Sequence, residues 1–204
     1  MKTLIISAAL IRGAQACQAT KKDARYYLHG FLLAANGDVV GTNGDIMFKG
    51  AVAAGRDRPE QDTIIELSGK IPANAATVTF TFSAAERGIC TTDNGKAFPF
   101  SVLDAKYPDY KRVIPERYRA EHSDGFGVHA QYLAATMAVF GKDASVNVYP
   151  ATHNDSVRVE YVCAEDSRHA LKSAVLVIMP LRTGGEFRPL CVPVPVPVPV
   201  STAA

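Results

Sequence analysis

The four cysteines, Cys17, Cys90, Cys163 and Cys191, are widely separated along the chain, with no CxxC pair among them. The five histidines, His29, His122, His129, His153 and His169, are equally scattered. Neither set offers a disulfide framework or the ligand spacing of a metal centre, so reduced and mostly buried thiols are the expected state. No apolar run reaches the ~18 residues that a membrane-crossing helix needs. Charge of one sign is also in short supply. Lys and Arg number 22 against 20 Asp and Glu, a net charge of +2, so nucleic-acid binding would need a local cluster of cations. Catalytic signatures are missing as well: there is no G-x-S-x-G and no phosphate-cradling glycine loop. Asp93, Asp104 and Asp109 stand beside turns or a connector, where turn and surface roles explain them. No catalytic residue, metal or cofactor is expected.

What the chain does have is the material for a core. Of 204 residues, 48% are hydrophobic and 21% charged, enough for one large or two small packed domains. The N-terminus can be read in two ways. Met1 to Ile11 is apolar like the start of a signal peptide, and Ala14-Gln-Ala16 before Cys17 mimics a cleavage or lipid-attachment box. The run is short, however, and Arg12 interrupts it. Leu4, Ala8, Ile11 and Gln15 fall at helical spacing, with Thr3 or Ser7 available as a cap. A helix over about residues 4–20 is the preferred reading, and a lipoprotein attached through Cys17 is the rival.

Strand signals dominate the next hundred residues. Arg25 to Ala35 has strand character, and Asn36-Gly37-Asp38 is a hairpin signal. Strands follow at Val39 to Thr42, Ile46 to Ala53 and Thr63 to Leu67, and Gly69 to Asn74 is a crossing rich in breakers. Thr77-Val-Thr-Phe-Thr-Phe82 alternates strictly, as a half-buried antiparallel strand does. Gly88 to Thr92 and Ala97 to Leu103 flank a turn at Asp93-Asn-Gly95. A second helix is predicted over 127–140, with Val128, Leu133, Met137 and Phe140 near one face and Gly141 as its stop. Ser145 to Tyr149, Ser156 to Cys163 and Ala174 to Leu181 complete the strands. This order predicts an α+β fold in which helices cover one face of antiparallel sheet.

The most distinctive segment is Tyr107-Pro-Asp-Tyr-Lys-Arg-Val-Ile-Pro115. Its two prolines fix an extended connector carrying two aromatics and two adjacent cations. It resembles the connector into the last domain of bacterial DNA polymerase sliding clamps. Three further segments match in the same order: Lys22-Asp-Ala-Arg-Tyr-Tyr-Leu-His-Gly30, the turn Thr42-Asn-Gly44, and Val175-Leu-Val-Ile-Met-Pro-Leu-Arg182. The resemblance covers the last half to two thirds of a clamp subunit. It implies a middle-type clamp domain over 1–115 and a shortened C-terminal one over 116–183. Half-domain units would fall near 1–68, 69–115 and 116–183, the middle one without its helix. The compact size suits a phage-like version.

The resemblance also implies partners and sites. A homo-oligomeric ring would encircle duplex DNA in the cytoplasm and tether a DNA polymerase, raising processivity without catalysis. DNA contact would fall on Lys21, Lys22, Arg25, Tyr26 and Tyr27, since cations attract phosphates and exposed tyrosines stack on bases. Of the two tyrosines, one should be buried and the other exposed. Arg12 on the first helix would face the duplex, and Lys111 and Arg112 form a second basic pair that reads equally as solvated connector. Partner peptides would enter an apolar pocket formed by Leu28, Met47, Pro108, Val113, Val177, Met179, Pro180, Leu181 and Arg182. Methionine thioethers suit such a pocket, because they adapt to varied ligands. Clamps place His-Arg after the turn where this chain has Asp45 and Ile46, which alters the charge at the rim. A non-ring adaptor or decoy that keeps only the pocket is the alternative function.

Residues 184–204 form a tail outside the resemblance. Val192-Pro-Val-Pro-Val-Pro-Val-Pro-Val200 carries proline at every second position. That pattern excludes helix and sheet ladder and favours polyproline II, either as a disordered tail or as a docking peptide.

Overall fold

The computed structural model describes residues 2–53, 58–84, 86–115, 128–149, 156–162 and 169–179. In chain order the elements are β1 (Lys2–Ser7), α1 (Ala8–Cys17), β2 (Phe31–Leu33), β3 (Asp38–Thr42), β4 (Ile46–Ala51), β5 (Thr63–Leu67), β6 (Thr77–Ala84), β7 (Arg87–Thr92), β8 (Ala97–Leu103), α2 (Ala130–Phe140), β9 (Val146–Tyr149), β10 (Val157–Tyr161) and β11 (Val175–Ile178). Short 3-10 turns lie at Tyr26–Leu28 and Tyr110–Val113. The strands form one antiparallel sheet in the order β1-β6-β7-β8-β5-β2-β3-β4-β11-β10-β9.

The N-terminus departs from expectation. Residues 2–7 are a strand paired along its whole length with β6, from Lys2 opposite Phe82 to Ser7 opposite Thr77. Leu4 and Ile6 are buried while Ile5 is 43% exposed, the two-residue period of a sheet edge. The helix begins only at Ala8, and from there Ala8, Ile11 and Ala14 follow helical spacing into the core. Ser7 occupies the N-cap position in extended conformation, without a side-chain capping bond. The lipoprotein reading does not suit this arrangement. Cys17 is fully buried, and burial pushes its thiol up to about 12. Cys90 is buried and raised in the same way.

Around β2, β3, β4 and β11 the sheet is buried on both faces, and alternate residues sort into two cores. Phe31, Leu33, Val39, Ile46, Phe48, Leu176 and Ile178 point to the helix side. Leu32, Val40, Met47, Ile64, Val175 and Val177 point to the other side, where Tyr107, Tyr110, Val113 and Ile114 of the connector cover them. This explains strands that read as unbroken apolar runs. On the helix side α1 lies on β3 and β4, and α2 lies against α1. Helix and sheet meet at Gly41, where a Cβ would stand 2.1 Å from the Ala14 carbonyl oxygen. Only glycine lets the two backbones approach that closely.

No helix stands between β5 and β6. The Gly69 to Ala76 crossing is instead bound to α1. The Arg12 Nη1 donates to the carbonyls of Pro72 and Ala75, both at 2.9 Å. Gln15 donates to the Gly69 carbonyl at 2.7 Å and accepts from the Ile71 amide at 3.0 Å. The hairpin turns need glycine at positive φ, as at Gly37 (91°) and Gly95 (82°). Gly141 (101°) stops α2, its amide bonded to the Met137 carbonyl. The predicted apolar face of α2 is only partly buried. Phe140 is packed, but Leu133 and Met137 are 45% and 57% exposed.

Candidate functional site: an apolar pocket beside the connector

The connector is placed by a polar cluster on an otherwise apolar face. Tyr110, 8% exposed, donates its hydroxyl to Asp38 Oδ2 at 2.9 Å. Asp38 is itself held by Asn36 at 3.0 Å and by the Lys49 ammonium at 3.1 Å. Burial pushes the Tyr110 phenol up to about 12, so it remains a donor across the physiological range. The Tyr107 hydroxyl donates to the Val40 carbonyl, and burial raises this phenol too. Further along, Ser156 donates to the Val113 carbonyl and Arg158 to that of Pro115, at 2.9 and 2.7 Å. The connector therefore spans from β3 to β10, fixed at both ends.

A pocket of about 210 Å³ opens where the connector passes the β3–β4 turn. Its walls include Leu28, Ile46, Met47, Pro108, Val113 and Met179, with Arg25, Tyr27 and Gly44 at the rim. Five of the sequence-expected pocket residues thus share one cavity: Leu28, Met47, Pro108, Val113 and Met179. Val177 does not line it. Val177 is fully buried beneath, in the same core as Met47. Pro180, Leu181 and Arg182 lie outside the described residues. Ile46, Thr42 and Tyr110 also line the cavity. Thr42 follows from strand pairing, opposite Met47, whereas Ile46 enters from the end of β4 at the turn and Tyr110 needed the connector's path.

The rim is tied down electrostatically. Arg25 grips Asp23 through two bonds, Nε to Oδ1 at 3.0 Å and Nη2 to Oδ2 at 2.6 Å, and also donates to the Asn43 carbonyl at 2.8 Å. The Arg25 hydrogen bond holds the Asp23 carboxyl down at about 2. Thr42 and Asn43 side chains accept from the backbone of the same turn, at Gly44, Asp45 and Ile46. A hydrogen-bonded polar collar thus borders one side of an apolar hole.

The expected DNA-contact residues separate. Lys21 and Lys22 are exposed on the turn after α1. Lys21 bonds Glu66 at 2.8 Å, which raises its ammonium and keeps it charged. Residues 26–28 form a 3-10 turn rather than a strand. Tyr26 is 54% exposed and Tyr27 half-buried, with their rings edge-on at 5.9 Å. Arg25 is committed to Asp23 and the turn. Arg12 does not reach outward through Nη1, which is bound to the crossing loop. Lys111 and Arg112 are exposed on the connector, with the Lys111 ammonium 5.9 Å from the Tyr110 ring centroid. Among the described residues no group of His, Cys, Asp and Glu could hold a metal ion, and no helix is long and apolar enough to cross a membrane.

One sheet, two helices on one face and a pinned connector on the other match known structures. A sliding clamp from Pseudomonas aeruginosa superposes with a TM-score of 0.61 at 19% identity, over 88% of this chain and 66% of that one. DNA polymerase III subunit beta from Borrelia burgdorferi gives 0.61 at 12% identity, over 90% and 65%. The beta chain from Streptococcus pneumoniae gives 0.59 at 15%, over 90% and 65%. This chain has the sliding-clamp fold. It spans about two thirds of the length of the clamps it matches. No protein-family model and no curated protein matches the chain. Another Pseudomonas aeruginosa clamp of the same fold was solved bound to griselimycin, with a TM-score of 0.60 at 19% identity.

Proposed function

We propose that this clamp-fold chain is a processivity factor: copies close into a ring around duplex DNA and tether a DNA polymerase through the apolar pocket. The observation that carries this reading is the cavity where Leu28, Met47, Pro108, Val113 and Met179 meet behind the Arg25–Asp23 collar. It is apolar within, rigid at the rim and sized for a side chain rather than a substrate, as tethering without catalysis requires. The domain division at residue 115, a phage-like origin and a cytoplasmic setting belong to the same proposal. Met179→Ala combined with Val113→Ala should weaken binding of a fluorescent polymerase-tail peptide at least tenfold, with little change in circular dichroism. Undiminished affinity would place the site elsewhere.

A specific observation favours a second reading, a non-ring adaptor or decoy that binds the same peptides. The sequence of α2 contains no cation, and the one cation of α1 is Arg12, bonded to the crossing loop. Helices facing a duplex would be expected to carry free positive charge. Light scattering at micromolar concentration separates the readings: the ring requires a closed oligomer, and a stable monomer favours the adaptor.

A further inference from the structure

Among the described residues that line the small pocket, two are charged, Arg25 and Asp109. They differ in how far that charge is satisfied. Arg25 is bound to Asp23 by two hydrogen bonds and to the Asn43 carbonyl by a third, so the Arg25–Asp23 pair is neutral as a unit. The Asp109 carboxylate has no hydrogen-bond or ion-pair partner among the described residues. Its position offers one. Asp109 is the N-cap of the 3-10 turn Tyr110–Val113, where an aspartate side chain commonly accepts from the turn's own amides. Here that bond is not made, and the residue is exposed.

Asp109 also stands at a junction. A larger cavity, of about 850 Å³, shares Pro108, Asp109 and Tyr110 with the small pocket. Asn36, Asp62, Lys106 and Lys111 give that cavity a polar lining. A peptide whose apolar side chain fills the small pocket, and whose backbone crosses this shared wall, meets Asp109 beside its anchor. The connector cations Lys106 and Lys111 line only the larger cavity, and the Lys111 ammonium lies 5.9 Å from the Tyr110 ring centroid. Exposed Asp45, between the lining residues Gly44 and Ile46, adds a second negative charge, hydrogen-bonded by Tyr132. The uncompensated charge at the mouth of the small pocket is therefore negative. Charge at the rim of an interface decides between partners more than it adds affinity.

We infer that Asp109 selects the partner peptide, pairing with a lysine or arginine that flanks the apolar side chain held in the small pocket. This rests on the reading of that pocket as a peptide site. The test uses three forms of the fluorescent polymerase-tail peptide, in which the residues flanking the apolar anchor are all serine, all lysine or all glutamate. On the unmodified chain at low salt, the lysine form should bind about fivefold tighter than the glutamate form, the scale of an exposed attraction exchanged for a repulsion. At about 1 M salt, where the screening length falls to about 3 Å, the ratio should approach one. Asp109→Asn should bring the low-salt ratio to within about twofold. Asp104→Asn removes an exposed carboxylate of the same connector that lines neither cavity, and should leave the ratio unchanged. Equal affinity of the lysine and glutamate forms overturns the inference. So does a ratio that Asp109→Asn leaves intact, or that Asp104→Asn lowers equally. The serine form separates these failures from that of the underlying reading. If it binds while the ratio is flat, the pocket stands and Asp109 has no part in selection. If no form binds, the peptide site itself falls and the inference falls with it.

Discussion

At the scale of single residues, the pocket rim depends on one exposed ion pair with good geometry. Such pairs contribute little to global stability, yet this one sets the conformation of a turn that forms a wall. The sign of its pH dependence follows from Asp23, whose carboxyl is held at about 2 in the folded chain against an ordinary 3.8. A depressed carboxyl stabilises the fold fully above about pH 4 and loses that contribution as pH falls towards 2. At neutral pH the collar is intact. Carboxyl-carbon NMR should show Asp23 titrating near 2, and Asp23→Asn should abolish that step while broadening the Asn43 and Gly44 amides. A midpoint near 4 would mean that Arg25 does not hold it in solution.

Among the elements, α1 shows how much was legible and what was not. From Leu4 to Ile11 only Ser7 interrupts the hydrophobic run, so two periodicities fit it, and nothing local announces that β1 gives way to α1 at Ser7. What decides is β6, far along the chain, where Thr77 pairs with Ser7 and Phe82 with Lys2, and whose Thr/Val/Phe alternation needs an edge partner. Long-range pairing of this kind leaves no mark on either segment alone. Turns were easier, because Asn36-Gly37 and Asn94-Gly95 require positive φ and advertise it. The α2 face was misjudged for another reason: the pattern records that Leu133 and Met137 are apolar, not whether anything covers them. Arg12 is the sharpest case. As a lone cation on α1 it resembles a DNA contact, yet its Nη1 bonds two carbonyls of the crossing between β5 and β6. Arg12→Ala should therefore cost about 1–3 kcal/mol, lowering Tm by roughly 3–9 °C, and leave duplex affinity and its salt dependence unchanged. A stable variant with weakened DNA binding would return Arg12 to the duplex.

For the whole molecule, the ring and the adaptor differ in what the helix side faces. Motif order from Lys22 to Met179 was enough to anticipate the clamp fold and to gather five pocket residues, because three of the motifs mark turns or a connector with restricted backbone and the fourth a buried strand, β11. Assembly was not legible, since it depends on surfaces rather than on turns. If the helices line a ring, α2 presents Leu133 and Met137 towards the duplex, and among the described residues cations near that side come from turns such as Lys21-Lys22, where Lys21 is paired with Glu66. Lys21→Ala with Lys22→Ala should then weaken duplex binding and flatten the dependence of log K on log salt. Leu133→Lys with Met137→Lys should do the reverse. Each new phosphate contact steepens that slope by about 0.9, so the double substitution should add up to roughly 2 and tighten binding at low salt. Exposed helix positions accept lysine readily, so folding is not at issue. In an adaptor without a central hole, these lysines meet only solvent. The slope would then stay where it was, and the ring would be excluded by the same titration.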